Sequence, residues 1–182
     1  GHISIVKVLS GAIRADDHLV NPRTGVDERL HSLFLVRGHD QQPVTEVGAG
    51  DIAAVAKLGQ TMTGDTLAPK GSPVRVAPVD FPDPPLAIAI RAATQADEDK
   101  LGDAIHRLLD EDPALSVVRD AETHQTVLRG QGDTHLAIAV GRLRDKFGVT
   151  VETEDVRIAY RETVSSPAEA EGRRKKQSGG HG

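Results

Sequence analysis

The residues that could do chemistry fall into a glycine-spaced loop, a scatter of eight histidines and several paired carboxylates. The loop Gly59-Gln60-Thr61-Met62-Thr63-Gly64-Asp65-Thr66 has the glycine spacing of a phosphate-binding loop. Asp65 stands where such a loop needs lysine, and a carboxylate there repels the phosphates that lysine neutralises. No helical pattern follows, so the segment reads as a turn in a β region. Among the histidines there is no His-Glu-x-x-His pair, and His31 and His39 share no helical face, so no metal site is expected. His135 stands apart. It follows Gly130-Gln131-Gly132 in the first turn of a helix opened by Asp133 and Thr134. From spacing alone, a packed or solvent-facing histidine is the plain reading.

The carboxylates at Asp16-Asp17, Asp97-Glu98-Asp99 and Glu111-Asp112 sit in turns or at a helix start. Solvation and the helix macrodipole account for them, and acid/base work would need a pocket with split pKa values. The chain has no cysteine, which excludes disulfides, zinc–thiolate sites and a thiol nucleophile. Neither a catalytic residue nor a bound cofactor is therefore expected. The run Arg173-Arg174-Lys175-Lys176 could contact an RNA backbone. Glu169 and Glu171 just before it dilute that charge, and a solvated tail is the reading from sequence.

The elements that position these residues come from an aromatic-poor chain. Aromatics make up only 2% of the 182 residues, so any core is built from Val, Ile, Leu and Ala. A net charge of −5 argues against a protein that coats nucleic acid non-specifically. Leu86 to Ile90, among the longest apolar runs, is far short of the ~18 residues of a membrane span. No signal peptide is visible, and a soluble cytoplasmic protein is expected.

Residues 1–69 read as β-structure: Ile3 to Leu9, a hairpin tip at Arg23-Thr24-Gly25, then strands at Glu28 to Val36, Val44 to Val47 and Asp51 to Lys57. Such closely spaced strands predict a small antiparallel barrel. Prolines 73, 78, 82, 84 and 85 make residues 70–85 a linker.

Residues 86–155 then change character. Leu86 to Ile90 is a strand, and Thr94-Gln95-Ala96-Asp97 is a capping box for a helix with a Leu101, Ala104, Ile105, Leu108, Leu109 stripe. Leu115 to Arg119 and Gln125 to Arg129 pair as strands. A second helix packs through Leu136, Val140, Leu143 and Phe147, with Gly148 at C′, and Val149 to Val151 closes the unit. The order βαββαβ predicts a ferredoxin-like domain with an antiparallel sheet, giving a β plus α/β chain. Residues 156–182 add a strand at Val156 to Val164 and a polar, partly disordered tail.

The ordered motifs NPRTGVDERL (Asn21 to Leu30), Ala49-Gly50-Asp51-Ile52, Thr63-Gly64-Asp65-Thr66-Leu67, Phe81-Pro82-Asp83-Pro84-Pro85 and Ala159-Tyr160-Arg161-Glu162-Thr163 resemble the elongation factor G family from its second domain onward. The stretch Thr126 to Phe147 resembles its third domain most closely. The resemblance implies a central fragment: domain II without its first strand, domain III and the start of domain IV. The parent's GTP- and magnesium-binding G domain would lie elsewhere, so the fragment is not itself an enzyme. Implied partners are that G domain and the ribosome, through small-subunit rRNA and a small-subunit protein.

By position the resemblance assigns Pro82 and Pro84 to a hinge. Thr126 falls on a strand facing the groove toward the G domain, where fusidic acid lodges in the family. Gly130, Gly132, His135 and Leu136 form the helix start beside it. The family usually has Gly-Met-Gly-Glu-Leu-His-Leu-Glu here, whereas this chain has Gln131, Thr134 and Ala137 at the second, fifth and eighth places. Those departures point to a divergent paralogue. A tetracycline-resistance-type ribosomal protection protein shares the architecture, and a stand-alone RNA- or protein-binding module is a reading from another class.

Overall fold

The computed structural model describes residues 2–167 and 169–172. Alternating β-branched residues make β1 (Ile3–Lys7), which pairs antiparallel with β8 (Ile52–Ala56), setting Ile5 opposite Ala54. Between them lie β2 (Ala12–Arg14), β3 (His18–Val20), β4 (Asp27–Arg29), β5 (Leu33–Arg37), β6 (Asp40–Pro43) and β7 (Glu46–Gly48). The pairings give a sheet of order β1-β8-β5-β6 and two short ladders, β2 with β7 and β3 with β4. These sheets do not join into one closed ring of strands. They do share one apolar core, in which Val8, Leu30, Leu33, Val47 and Val55 are buried and Ile13 and Leu19 pack against them.

Two details depart from the sequence reading. The expected strand from Glu28 to Val36 is two strands, because Leu30, His31 and Ser32 turn the chain between β4 and β5. The strand expected at Val44 to Val47 is β7, and β6 before it was not foreseen. All four β6 residues are exposed, so an edge ladder holds them with no apolar period to announce it. The hairpin tip is as expected, with Gly25 at φ 73° donating its N–H to the Asn21 carbonyl at 2.8 Å.

The C-terminal part starts with β9 (Leu86–Ala92), whose alternate residues Ile88 and Ile90 turn toward the helices. Thr94 caps α1 (Gln95–Glu111), its hydroxyl oxygen accepting the Asp97 N–H at 3.2 Å. The reciprocal half of the box goes to the hydroxyl, since Thr94 Oγ1 donates to the Asp97 carboxylate at 2.6 Å. The other Asp97 oxygen accepts the Thr150 N–H at 3.1 Å, so one carboxylate ties the first helix to the last strand.

Strands β10 (Ser116–Arg119) and β11 (Thr126–Gly130), helix α2 (Asp133–Asp145) and strand β12 (Val151–Glu154) complete the unit. The sheet order β10-β11-β9-β12 with antiparallel neighbours is the split βαβ arrangement expected. Leu101, Leu108, Leu128, Leu136, Leu143 and Val149 are buried between sheet and helices, each contributing roughly 2 kcal/mol by removing its side chain from water. The α2 cap falls on Lys146, so the left-handed Gly148 (φ 68°) stands one position beyond C′.

The strand expected at Val156 to Val164 does not form. Its alternation is present, but no ladder partner lies beside it among the described residues, and Ile158, Tyr160 and Val164 are well exposed. No helix among the described residues is long and apolar enough to cross a membrane.

Candidate functional site

Two polar clusters stand out. The first stitches the loop of residues 59–65 to the β3–β4 hairpin. The inward position of β4 holds Glu28, 6% exposed, whose carboxylate accepts the N–H groups of Gly59 at 2.9 Å and Gln60 at 2.8 Å and the Thr61 hydroxyl at 3.0 Å. Burial works to raise this carboxyl, but those donors outweigh it and hold it below its ordinary range. The amides that a phosphate loop would offer a nucleotide are thus taken by an internal carboxylate, as befits a turn.

Asp65 sits in the same cluster, its side chain 7% exposed. It receives Arg23 Nε at 2.6 Å and Arg23 Nη2 at 2.7 Å, with the Asn21 amide and the Met62 N–H each at 2.9 Å. The guanidinium foremost, against burial, holds this carboxyl well below the usual carboxylate range. Thr63 Oγ1, in the same loop, donates to the Asp110 carbonyl at the end of α1 at 3.2 Å, bridging the two parts of the chain.

The second cluster surrounds His135. Strand β11 ends at Gly130, and a Cβ there would lie 2.8 Å from Leu136 Cδ2 and 3.2 Å from His135 Nδ1. Only glycine allows the start of α2 to fold back so closely. Gly132 carries no such demand, since a Cβ there would meet nothing within 4 Å. His135 Nδ1 accepts the Gln131 N–H at 3.0 Å, which places the ring proton on Nε2. Nε2 donates to Asp112 Oδ2 at 3.0 Å, and Asp112 Oδ1 accepts the Ala114 N–H at 3.2 Å. The histidine therefore clasps the start of α2 to the C-cap of α1. Arg142 Nη1 lies 4.0 Å from the same Asp112 oxygen.

Of the residues singled out from sequence, the structure brings Pro82, Gly130, Gly132, His135 and Leu136 together. Pro82 joins through its carbonyl, which accepts Gln131 Nε2 at 2.9 Å. Pro84 is half-buried near the start of β9. Thr126 is not part of the group: it pairs with Ile90 and Arg119 at the far end of β11, about 13 Å along the strand from Gly130. Leu136 is 3% exposed and belongs to the core. Arg173, Arg174, Lys175 and Lys176 lie outside the described residues.

Sequence reasoning gave Glu28 and Arg23 no role, took Asp112 for a solvated turn carboxylate and met Gln131 only as a departure from the family motif. A signal existed for Glu28, because the alternation of Asp27-Glu28-Arg29 turns its middle residue inward. Beside α2, a cleft of about 460 Å³ is lined by Leu136, Ala137, Val140, Gly141, Ile88 and Val151, among others. Ala137, one of the departures noted above, adds no charge to a wall that Asp133 and Arg144 also line. Among the described residues no group of three or more His, Asp or Glu side chains could hold a metal ion.

A model of elongation factor G domain 2 matches residues 1–70, and one of elongation factor G domain III matches residues 81–155. With the sheet order above, these matches define the class as translation elongation factors. The chain belongs to the elongation factor G family, of which it carries the second and third domains. It is 40% identical over all 182 residues to elongation factor G of Anaplasma phagocytophilum and 41% identical to that of Thermotoga petrophila. It spans 26% of the length of each of these relatives. A crystal structure of a protein from Thermus thermophilus superposes with a TM-score of 0.73 at 32% identity, covering 86% of this chain and 24% of that one.

Proposed function

We propose that this chain is the ribosome-contacting and conformational-relay part of an elongation factor G-like translational GTPase. The observation that carries the reading is identity of about two residues in five to elongation factor G relatives across all 182 positions, through both domains in order. Residues 1–69 act as domain II, 70–85 as the linker, 86–155 as domain III and 156–182 as the opening of domain IV. The single core shared by the three N-terminal sheets supports a barrel for domain II. GTP and magnesium bind in the parent's G domain, and the work is done in the cytoplasm against small-subunit rRNA and a small-subunit protein. The basic run from Arg173 to Lys176 adds RNA contact.

Within this reading, His135 is a positioning residue. Its clasp to Asp112 ties the start of α2 to the C-cap of α1 by a single bond, so a displacement at the helix start is passed on to α1. Gln131, Thr134 and Ala137 favour a divergent paralogue. The test is the ribosome-stimulated GTPase rate of the full-length parent with and without His135→Ala. A lowered rate with intact ribosome binding supports the relay, and a wild-type rate removes His135 from it.

A further inference from the structure

The proline-rich stretch between the two domains looks like one continuous flexible tether, yet side chains from both domains reach into it. On the N-terminal side, Thr66 Oγ1 accepts the Val76 N–H at 3.0 Å. On the C-terminal side, Gln131 Nε2 donates to the Pro82 carbonyl at 2.9 Å. Gln131 is itself held, because its backbone N–H is given to His135 and His135 is fastened to Asp112. The methionine usual in the family at this position has no side-chain N–H to offer a carbonyl.

We infer that the interdomain hinge of this protein is the short span of residues 77–81, bounded by two side-chain clamps, and that Gln131 is the latch on its C-terminal side. Residues 70–76 then move with domain II, residues 82–85 move with domain III, and the exposed Thr63–Asp110 bond parts when the domains swing. Between the clamps, no hydrogen bond from the described residues holds the backbone of Ala77, Val79, Asp80 or Phe81, and Val79 is 71% exposed. The inference stands on these contacts and does not depend on the ribosomal reading.

The Asp83 N–H belongs to the same peptide group as the Pro82 carbonyl, so it reports the latch directly. Amide ¹⁵N relaxation on the 182-residue chain should give order parameters of about 0.85 at Val76 and Asp83 and below about 0.6 at Val79, Asp80 and Phe81. Gln131→Met and the equally long Gln131→Glu should each drop Asp83 to the flexible range and leave Val76, Ala89 and Leu128 unchanged. Thr66→Val should do the reverse, freeing Val76 and sparing Asp83. Uniform order across residues 70–85, or an Asp83 amide that ignores both Gln131 variants, overturns the inference.

Discussion

The two polar clusters are built on opposite plans. In domain II, Glu28 and Asp65 are buried, and each is met by several donors that close on one another: amides, a hydroxyl, a carboxamide and a guanidinium. In domain III, the chain from Asp112 to His135 to Gln131 to Pro82 is a line of single bonds, with the His135 and Asp112 side chains 21% and 23% exposed. A closed network fails as a unit and at high cost, because breaking one member strands the others away from water. An open line can part at one link at low cost. The first plan suits a scaffold and the second a joint.

The largest expected effect breaks the closed network. Asp65→Ala should destabilise domain II by about 3 kcal/mol, since it leaves the buried Asn21 amide only a long 3.4 Å bond to Thr61 Oγ1 and takes both carboxylate bonds from Arg23, which keeps the Gln60 carbonyl. Denaturant unfolding followed by a domain II probe checks this, and a loss under about 1 kcal/mol would make the network no stronger than the line. Gly130→Ala comes next, at about 2 kcal/mol, because the methyl group meets Leu136 at less than van der Waals distance. That loss should appear at domain III amides in hydrogen exchange and spare domain II.

Acid separates the two clusters further. Asp65 and Glu28 have folded-state values below their unfolded ones, so their contribution is fully present above the ordinary carboxylate range and is lost as pH falls through and below it. Domain II should hold its stability from neutral pH to about 5, then lose up to about 1.4 kcal/mol per pH unit per carboxylate below about 4. A steady decline starting at neutral pH would show that other groups dominate. The smallest effect is His135→Ala, at about 1 kcal/mol or less, read as a modest shift in the domain III unfolding midpoint. A loss as large as that of Asp65→Ala would erase the distinction between scaffold and joint.

How much of this was legible depended on whether a residue's partner lay within one turn or one ladder step. The Thr94 cap, the Leu101, Ala104 and Leu108 stripe and the βαββαβ order are local periodic signals, and the structure carries all three. His135 was found by resemblance, but its partner Asp112 lies 23 residues away on another helix, and no period links them. Thr126 was placed by resemblance on a strand facing the groove, and its register against Arg119 and Ile90 emerges only when the sheet is paired. The segment from Val156 to Val164 has the right alternation, yet a strand is defined by its partner as much as by itself.

The seam between β9 and β12 has a mechanical consequence. The chain enters domain III at Leu86 and passes out of its last strand at Glu154, which pairs with Ala89, and the seam runs four rungs to Val151 and Ala92. Tension applied through the incoming and outgoing chain would load first the two bonds by which the buried Gln125 side chain holds Asp155 and Arg157, then the Glu154 rung, and open the seam like a zipper, one rung at a time. Compression against the helix ends meets instead the packed leucines and the clasp at Asp112. Domain III is therefore weak under pulling and stiff under pushing, and whatever force it passes along should travel through it as thrust.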